Sequence, residues 1–185
     1  MHRGLQVFNR APETTATTWL LTCCGSPAWA GRLAAHRPYP TTDALLAAAD
    51  EAAYDLAPAQ LATALAAERP HGPHPSGIPA AARTALDAAH AAYESRFGHV
   101  FVIALAAYRP DEHLDQTLAG LRARLANDAE EERVVTAEEL RRVARARLTR
   151  LVSGIGAQAV GEAVKPGKSG EFPDSGPADS PYVPV

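Results

Sequence analysis

Alanine and leucine fill most of the chain, while β-branched residues gather in only a few places. That imbalance constrains the fold most. Ala and Leu lose least on entering a helix, whereas strands draw on Val, Ile and Thr at alternating positions. The expectation is an all-α, compact, single-domain bundle of seven or eight helices. Residues 12–24 read as a first helix, bringing Trp19, Leu20 and Leu21 to a core. Pro27 to His36 follows a Gly-Ser-Pro start, before Pro38 and Pro40 break the chain. Thr41-Thr42-Asp43 can open a helix over 43–54 that buries Leu45, Leu46 and Ala49. Pro58 suits the first turn of a helix reaching about Ala67. Further helices are expected over 80–96, stopped by Gly98, and over 111–126, stopped by Asn127-Asp128. A last helix is expected over 136–153, with Thr136 and Glu139 in a capping-box pattern.

Two segments resist helix. Glu68 to Pro79 holds four prolines and two glycines and must be irregular, and a loop of that length in a compact domain is usually functional or disordered. His99 to Leu105 is the most β-like run, read as a short extended stretch or a buried connector. After about Gly154 the periodicity is lost. The chain therefore divides into a helical domain over 1–153 and a Gly/Pro/Ser-rich, disordered tail over 154–185.

A net charge of −3 and a pI near 6.2 argue against nucleic-acid binding, which normally needs a basic face. No apolar run approaches the roughly 20 residues of a membrane span, and Met1-His2-Arg3-Gly4 lacks the apolar core of a secretory signal. The reading is a soluble, cytoplasmic protein. Cys23 and Cys24 are adjacent, which excludes a disulfide framework, and no nearby ligand completes a metal site. They are expected to be buried as small apolar residues.

Four segments together resemble the 2-oxo-4-hydroxy-4-carboxy-5-ureidoimidazoline (OHCU) decarboxylase family, in an actinobacterial-looking version. The first is Phe8-Asn9 followed by Cys23-Cys24-Gly25-Ser26-Pro27-Ala28-Trp29-Ala30. The second is His36-Arg37-Pro38 with Leu45 to Asp50, and the third runs from Tyr93-Glu94-Ser95-Arg96-Phe97-Gly98 to Val102. The fourth is Asn127-Asp128, Glu138 and Arg147-Leu148. The resemblance implies a cofactor-free, metal-free helical enzyme that forms a homodimer. It also implies the reaction: OHCU loses carbon dioxide, and the enol-like intermediate is protonated on one face to give (S)-allantoin.

The family usually carries His-Pro-Arg-Ile-Gly after the helix that ends here near Ala67, and its His is catalytic. This chain has Glu68-Arg69-Pro70-His71-Gly72 there, and lacks the family's later Ser-x-x-Glu-Gln stretch. The catalytic candidates are therefore Glu68, His71 and His74. A histidine near its reference pKa of ~6.5 can move a proton at neutral pH, although two solvated loop histidines are the plainer reading. A carboxyl in a closed pocket can itself act as an acid. Arg147 matches the family's substrate-contacting arginine, and its planar fork suits a carboxylate or ureido oxygen. The other arginines of that helix are expected to be solvated or paired with Glu130, Glu131 and Glu132. Phe101, Val102, Ile103, Ala104 and Leu105 match the segment whose backbone meets the ligand. His90, where the family commonly has Asn, is read as structural, with replacement of the missing site chemistry as the lesser alternative. The altered loop also suits a same-fold enzyme acting on another small ureido or keto acid, and a non-catalytic helical partner of the urate pathway stays open.

Overall fold

The computed structural model describes residues 3–69 and 79–163. Among them are eight α-helices: α1 (Arg3–Arg10), α2 (Glu13–Cys23), α3 (Pro27–Ala35), α4 (Thr42–Tyr54), α5 (Pro58–Ala67), α6 (Ala80–Phe97), α7 (His113–Arg124) and α8 (Ala129–Ala163). A 3-10 turn, Pro110–Glu112, leads into α7, and no strand forms among these residues. None of these helices is long and apolar enough to cross a membrane.

Most helix boundaries follow local chemistry. Ser26 caps α3 by accepting from the Trp29 N–H, with Pro27 in the first turn. Thr41 caps α4 through the Ala44 N–H. Gly98 ends α6 in the left-handed region at φ 75°, a conformation that other residues adopt only at a cost. α8 departs from expectation at both ends. Its cap is Asp128, whose Oδ1 accepts from the N–H groups of Glu130 and Glu131 while Glu131 accepts from the Asp128 N–H. The capping box thus sits at 128 and 131, and Thr136 is a buried mid-helix residue. The helix also continues past 153 to Ala163, with Val152 and Ile155 in the core.

α8 is the central element, and α1, α2 and α4 pack on it. The unforeseen α1 explains why α8 must run on. A Cβ at Gly4 would stand 1.7 Å from the Val152 carbonyl oxygen, and one at Gly156 would stand 2.9 Å from the Gly4 nitrogen. Only glycine permits that crossing. The signature residues of the first half serve as clamps. The Asn9 side chain donates to the Tyr39 carbonyl at 2.8 Å and accepts from its N–H at 3.0 Å. Arg37 donates to the carbonyls of Phe8 and Ala11, tying the end of α1 to the α3–α4 connection. The Trp29 indole donates to the Ala49 carbonyl at 2.9 Å.

Two apolar clusters result. The main one lies among α1 to α5 and α8, and the smaller holds Leu86, Tyr93, Phe101 and Leu121 from α6, α7 and their connection. The β-like run at 99–105 joins them. Successive side chains of an extended stretch point opposite ways, so Phe101 enters the small cluster and Val102 the main one. An open cleft lies between the two clusters.

Candidate functional site

The cleft has a volume of about 750 Å³. Its walls are the end of α2 and the turn to α3 (Leu21, Thr22, Gly25), the end of α5 (Ala67 to Arg69), His90 of α6, the 101–105 connection, Thr117 of α7, and Val143 and Arg147 of α8. Three sequence candidates therefore converge here: Glu68, Arg147 and most of the 101–105 run. Gly25 makes the convergence possible, because a Cβ there would lie 2.2 Å from the Ala67 Cβ and push the end of α5 away.

Glu68 is the C-terminal cap residue of α5 and faces Arg147 in a fork-to-fork pair. Arg147 Nη1 donates to Glu68 Oε1 at 2.6 Å and Nη2 to Oε2 at 2.8 Å. Nη1 also reaches the Cys23 carbonyl at 3.3 Å. The pairing raises the Arg147 pKa above its ordinary value, chiefly through the Glu68 hydrogen bonds and against the effect of burial. Both oxygens of Glu68, the residue expected as an acid, accept from Arg147, so the carboxylate fixes the orientation of the guanidinium. His71 and His74 lie outside the described residues.

The connection is held by side chains whose role the sequence did not announce. Arg124 donates to the Val102 carbonyl at 2.6 Å, and Glu139 accepts from the Ala104 N–H at 2.6 Å. These two backbone groups each have a side-chain partner within the protein. Ala104 itself does not line this cleft and faces a neighbouring one on the far side of the connection, while Phe101, Val102, Ile103 and Leu105 do line it. Arg124 also pairs with Glu132 at 2.6 Å, and Tyr93, Thr136 and Asn127 complete the Glu132 shell. Burial alone would raise the Glu132 pKa, but hydrogen bonds from Arg124 and Tyr93 outweigh it and hold the carboxyl low. Tyr93 is pushed up to about 12, first by burial and then by Glu132.

Of the other arginines on α8, Arg142 and Arg150 are exposed, in line with expectation, while the ion pairs of Arg141, Arg142 and Arg145 use other partners. Arg141 and Arg145 meet Asp50 of α4 at 2.6 and 2.5 Å, and Arg141 and Arg142 meet Glu138 three and four residues back. Glu130 pairs with Arg133 and Glu132 with Arg124. Cys23 and Cys24 are buried as expected, and burial pushes the Cys23 thiol up to about 11 and raises Cys24 as well. Neither is a reactive thiolate at neutral pH. Among the described residues no group of three or more His, Cys, Asp or Glu could hold a metal ion.

The OHCU decarboxylase family model matches residues 9–72 and 74–149. No curated protein matches the sequence at a significant level. A crystal structure of (S)-allantoin synthase superposes with a TM-score of 0.62 at 19% identity, over 80% of this chain and 53% of that one. The present chain thus spans about half the length of that protein. A crystal structure of OHCU decarboxylase in the presence of (S)-allantoin superposes with a TM-score of 0.63 at 21% identity, over 74% of this chain and 98% of that one. At these identities the structural likeness is one of fold.

Proposed function

Because the chain belongs to the OHCU decarboxylase family, we propose that it decarboxylates OHCU to (S)-allantoin in the cleft between its two apolar clusters. The observation that carries this reading is the convergence of Glu68, Arg147 and the 101–105 connection on one space of about 750 Å³, ample for a substrate of OHCU's size. The reaction needs little beyond positioning, charge stabilisation and one placed proton. Arg147, locked in orientation by Glu68, supplies the cation for the substrate's carboxylate or ureido oxygens. Phe101, Val102, Ile103 and Leu105 form the wall against which the ring lies, and Ala104 fixes that wall through Glu139.

Proton delivery falls to the segment that replaces the family's histidine motif. Glu68 stands where that histidine does, and its pairing with Arg147 favours an anionic, orienting role. His71 and His74 follow within a few residues and are the proton donors of this reading, supported by their place in the sequence. The enzyme is further read as a cytoplasmic homodimer, an actinobacterial-type variant that works without a cofactor.

The test is turnover of freshly generated OHCU. Purified protein is expected to yield optically active allantoin, and replacing both His71 and His74 by Ala should lower the rate by ~10²–10⁴. Full activity in the double variant would move proton delivery elsewhere. Racemic allantoin at the uncatalysed rate from the unaltered protein would overturn the function.

A further inference from the structure

The cleft holds a cation that its own walls leave uncompensated. Its acidic and basic lining residues are Glu68, Arg69 and Arg147. Both oxygens of Glu68 are occupied by Arg147, at 2.6 and 2.8 Å. Arg69 has no hydrogen-bond or ion-pair partner among the described residues, and it is exposed. The lining therefore carries one cation in excess of its carboxylates, in a chain whose net charge is −3.

The place of that cation is set by the main chain before it. α5 ends with the Glu68 N–H on the Leu65 carbonyl at 3.1 Å, and Glu68 itself turns out of the helix at φ −70° and ψ 141°. Ala67 packs against the turn at Gly25, and the Glu68 side chain is gripped by α8 through Arg147. The two residues ahead of Arg69 are thus held from two different elements. Pro70 follows it in the sequence and disfavours a helical backbone at position 69. Arg69 is delivered to the rim of the cleft by backbone with little freedom. An exposed, unpaired guanidinium there adds almost nothing to the stability of the fold.

We infer that Arg69 is a specificity-determining residue, which selects an anionic substrate for this cleft by meeting its carboxylate. The inference rests on the decarboxylation proposed above. Arg147 already shares its charge with Glu68, so its remaining N–H groups suit a neutral ureido or carbonyl oxygen. A carboxylate gains more from the cation that has no counter-charge. Such a charge at the mouth of a cleft also raises the local concentration of anions, and salt screens it. The reaction removes the very group that Arg69 recognises, because the carboxylate leaves as carbon dioxide and allantoin is neutral. One residue thereby favours entry of the substrate and exit of the product.

Turnover of OHCU by Arg69→Gln at low and high ionic strength tests this. The variant should melt with the unaltered protein. Near 0.01 M ionic strength its KM should rise about tenfold while kcat stays within about twofold, which marks lost binding common to substrate and transition state. Near 1 M, where the screening length is about 3 Å, the two proteins should agree within about twofold. Arg69→Lys keeps the charge and should retain most of the low-salt affinity. In titration calorimetry the unaltered protein should bind allantoate, a carboxylate bearing two ureido groups, more tightly than neutral (S)-allantoin, and Arg69→Gln should lose that preference. An unchanged KM in Arg69→Gln, a rise that persists at high salt or is equal in Arg69→Lys, or a preference for allantoate untouched by the substitution overturns the inference alone. An unaltered protein inert toward OHCU overturns the proposed reaction and this role together.

Discussion

Two arginine–glutamate pairs sit within this small fold, and their surroundings give them different work. Arg124 and Glu132 are 8% and 1% exposed, and besides each other their hydrogen-bond partners are Tyr93, Thr136, Asn127 and the Val102 carbonyl. Arg147 and Glu68 are 34% and 10% exposed and stand on the wall of a cleft. Removing two charges from water is expensive, and a buried pair is tolerated only when its geometry and extra hydrogen bonds are good. The first pair meets that condition completely and pins the 101–105 connection. The second keeps an open side, where a ligand can take the place of water. Enclosure, more than pairing, separates a structural ion pair from one at a site.

Breaking the enclosed pair should have the largest effect on the molecule. Glu132→Ala leaves the Arg124 guanidinium buried without its partner, a change that typically destabilises by about 3–5 kcal/mol. At roughly 2–4 °C per kcal/mol for a chain of this size, the melting temperature should fall by about 10 °C in calorimetry. A fall under about 2 °C would mean that the network does not hold the fold.

Arg124→Lys sharpens the contrast. It keeps the charge and loses the fork, so it cannot hold both Glu132 and the Val102 carbonyl, and should destabilise by about 1–3 kcal/mol. Because Val102 lines the cleft, KM for OHCU is expected to rise in steady-state assays of the same variant. A destabilised protein with unaltered KM would show that the enclosed network and the cleft are independent.

Alkaline pH gives a smaller effect from groups beside both pairs. Burial raises the Cys23 thiol from its ordinary 9.0 to about 11, so the folded state holds a proton that the unfolded chain gives up first. That contribution to stability is whole below pH 9 and lost as pH climbs toward 11, at no more than about 1.4 kcal/mol per pH unit. Tyr93, pushed up to about 12, extends the decline above pH 10. Melting temperatures measured from pH 7 to 11 should be level and then fall, and Cys23→Ala should delay the fall. A profile unaffected by that substitution would assign the loss to other groups.

Much of the fold is legible in the sequence because its signals are local. The caps at Ser26 and Thr41, the αL glycine Gly98 and the Ala/Leu periodicity act within one or two turns, and the helices form where these place them. α1 carries no such local signal because it is short and stabilised from afar, by glycine contacts with α8 some 150 residues on. The Thr136–Glu139 pattern misled for a related reason. The Thr136 hydroxyl looks like a cap in sequence, but tertiary structure uses it to complete the Glu132 shell. In the cleft, motif position located Glu68 and Arg147. Their pairing, the internal use of the Val102 and Ala104 backbone groups, and the place of His90 depend on elements far apart in sequence, and no spacing rule reveals them. One signal was available: Asp128 and Glu131 lie three apart just before a helical run, the spacing of the true capping box.

The most direct test of the account is a circular dichroism time course of allantoin formation from fresh OHCU, run with the unaltered protein and with Arg147→Lys. The account predicts an optically active product at a rate proportional to enzyme for the unaltered protein. Arg147→Lys should fold with a melting shift of only about 1 kcal/mol equivalent, as suits a partly exposed pair, yet turn over about 10²-fold more slowly. Equal rates in the two proteins would remove Arg147 and its cleft from the chemistry, and racemic allantoin from the unaltered protein would contradict the account at its root.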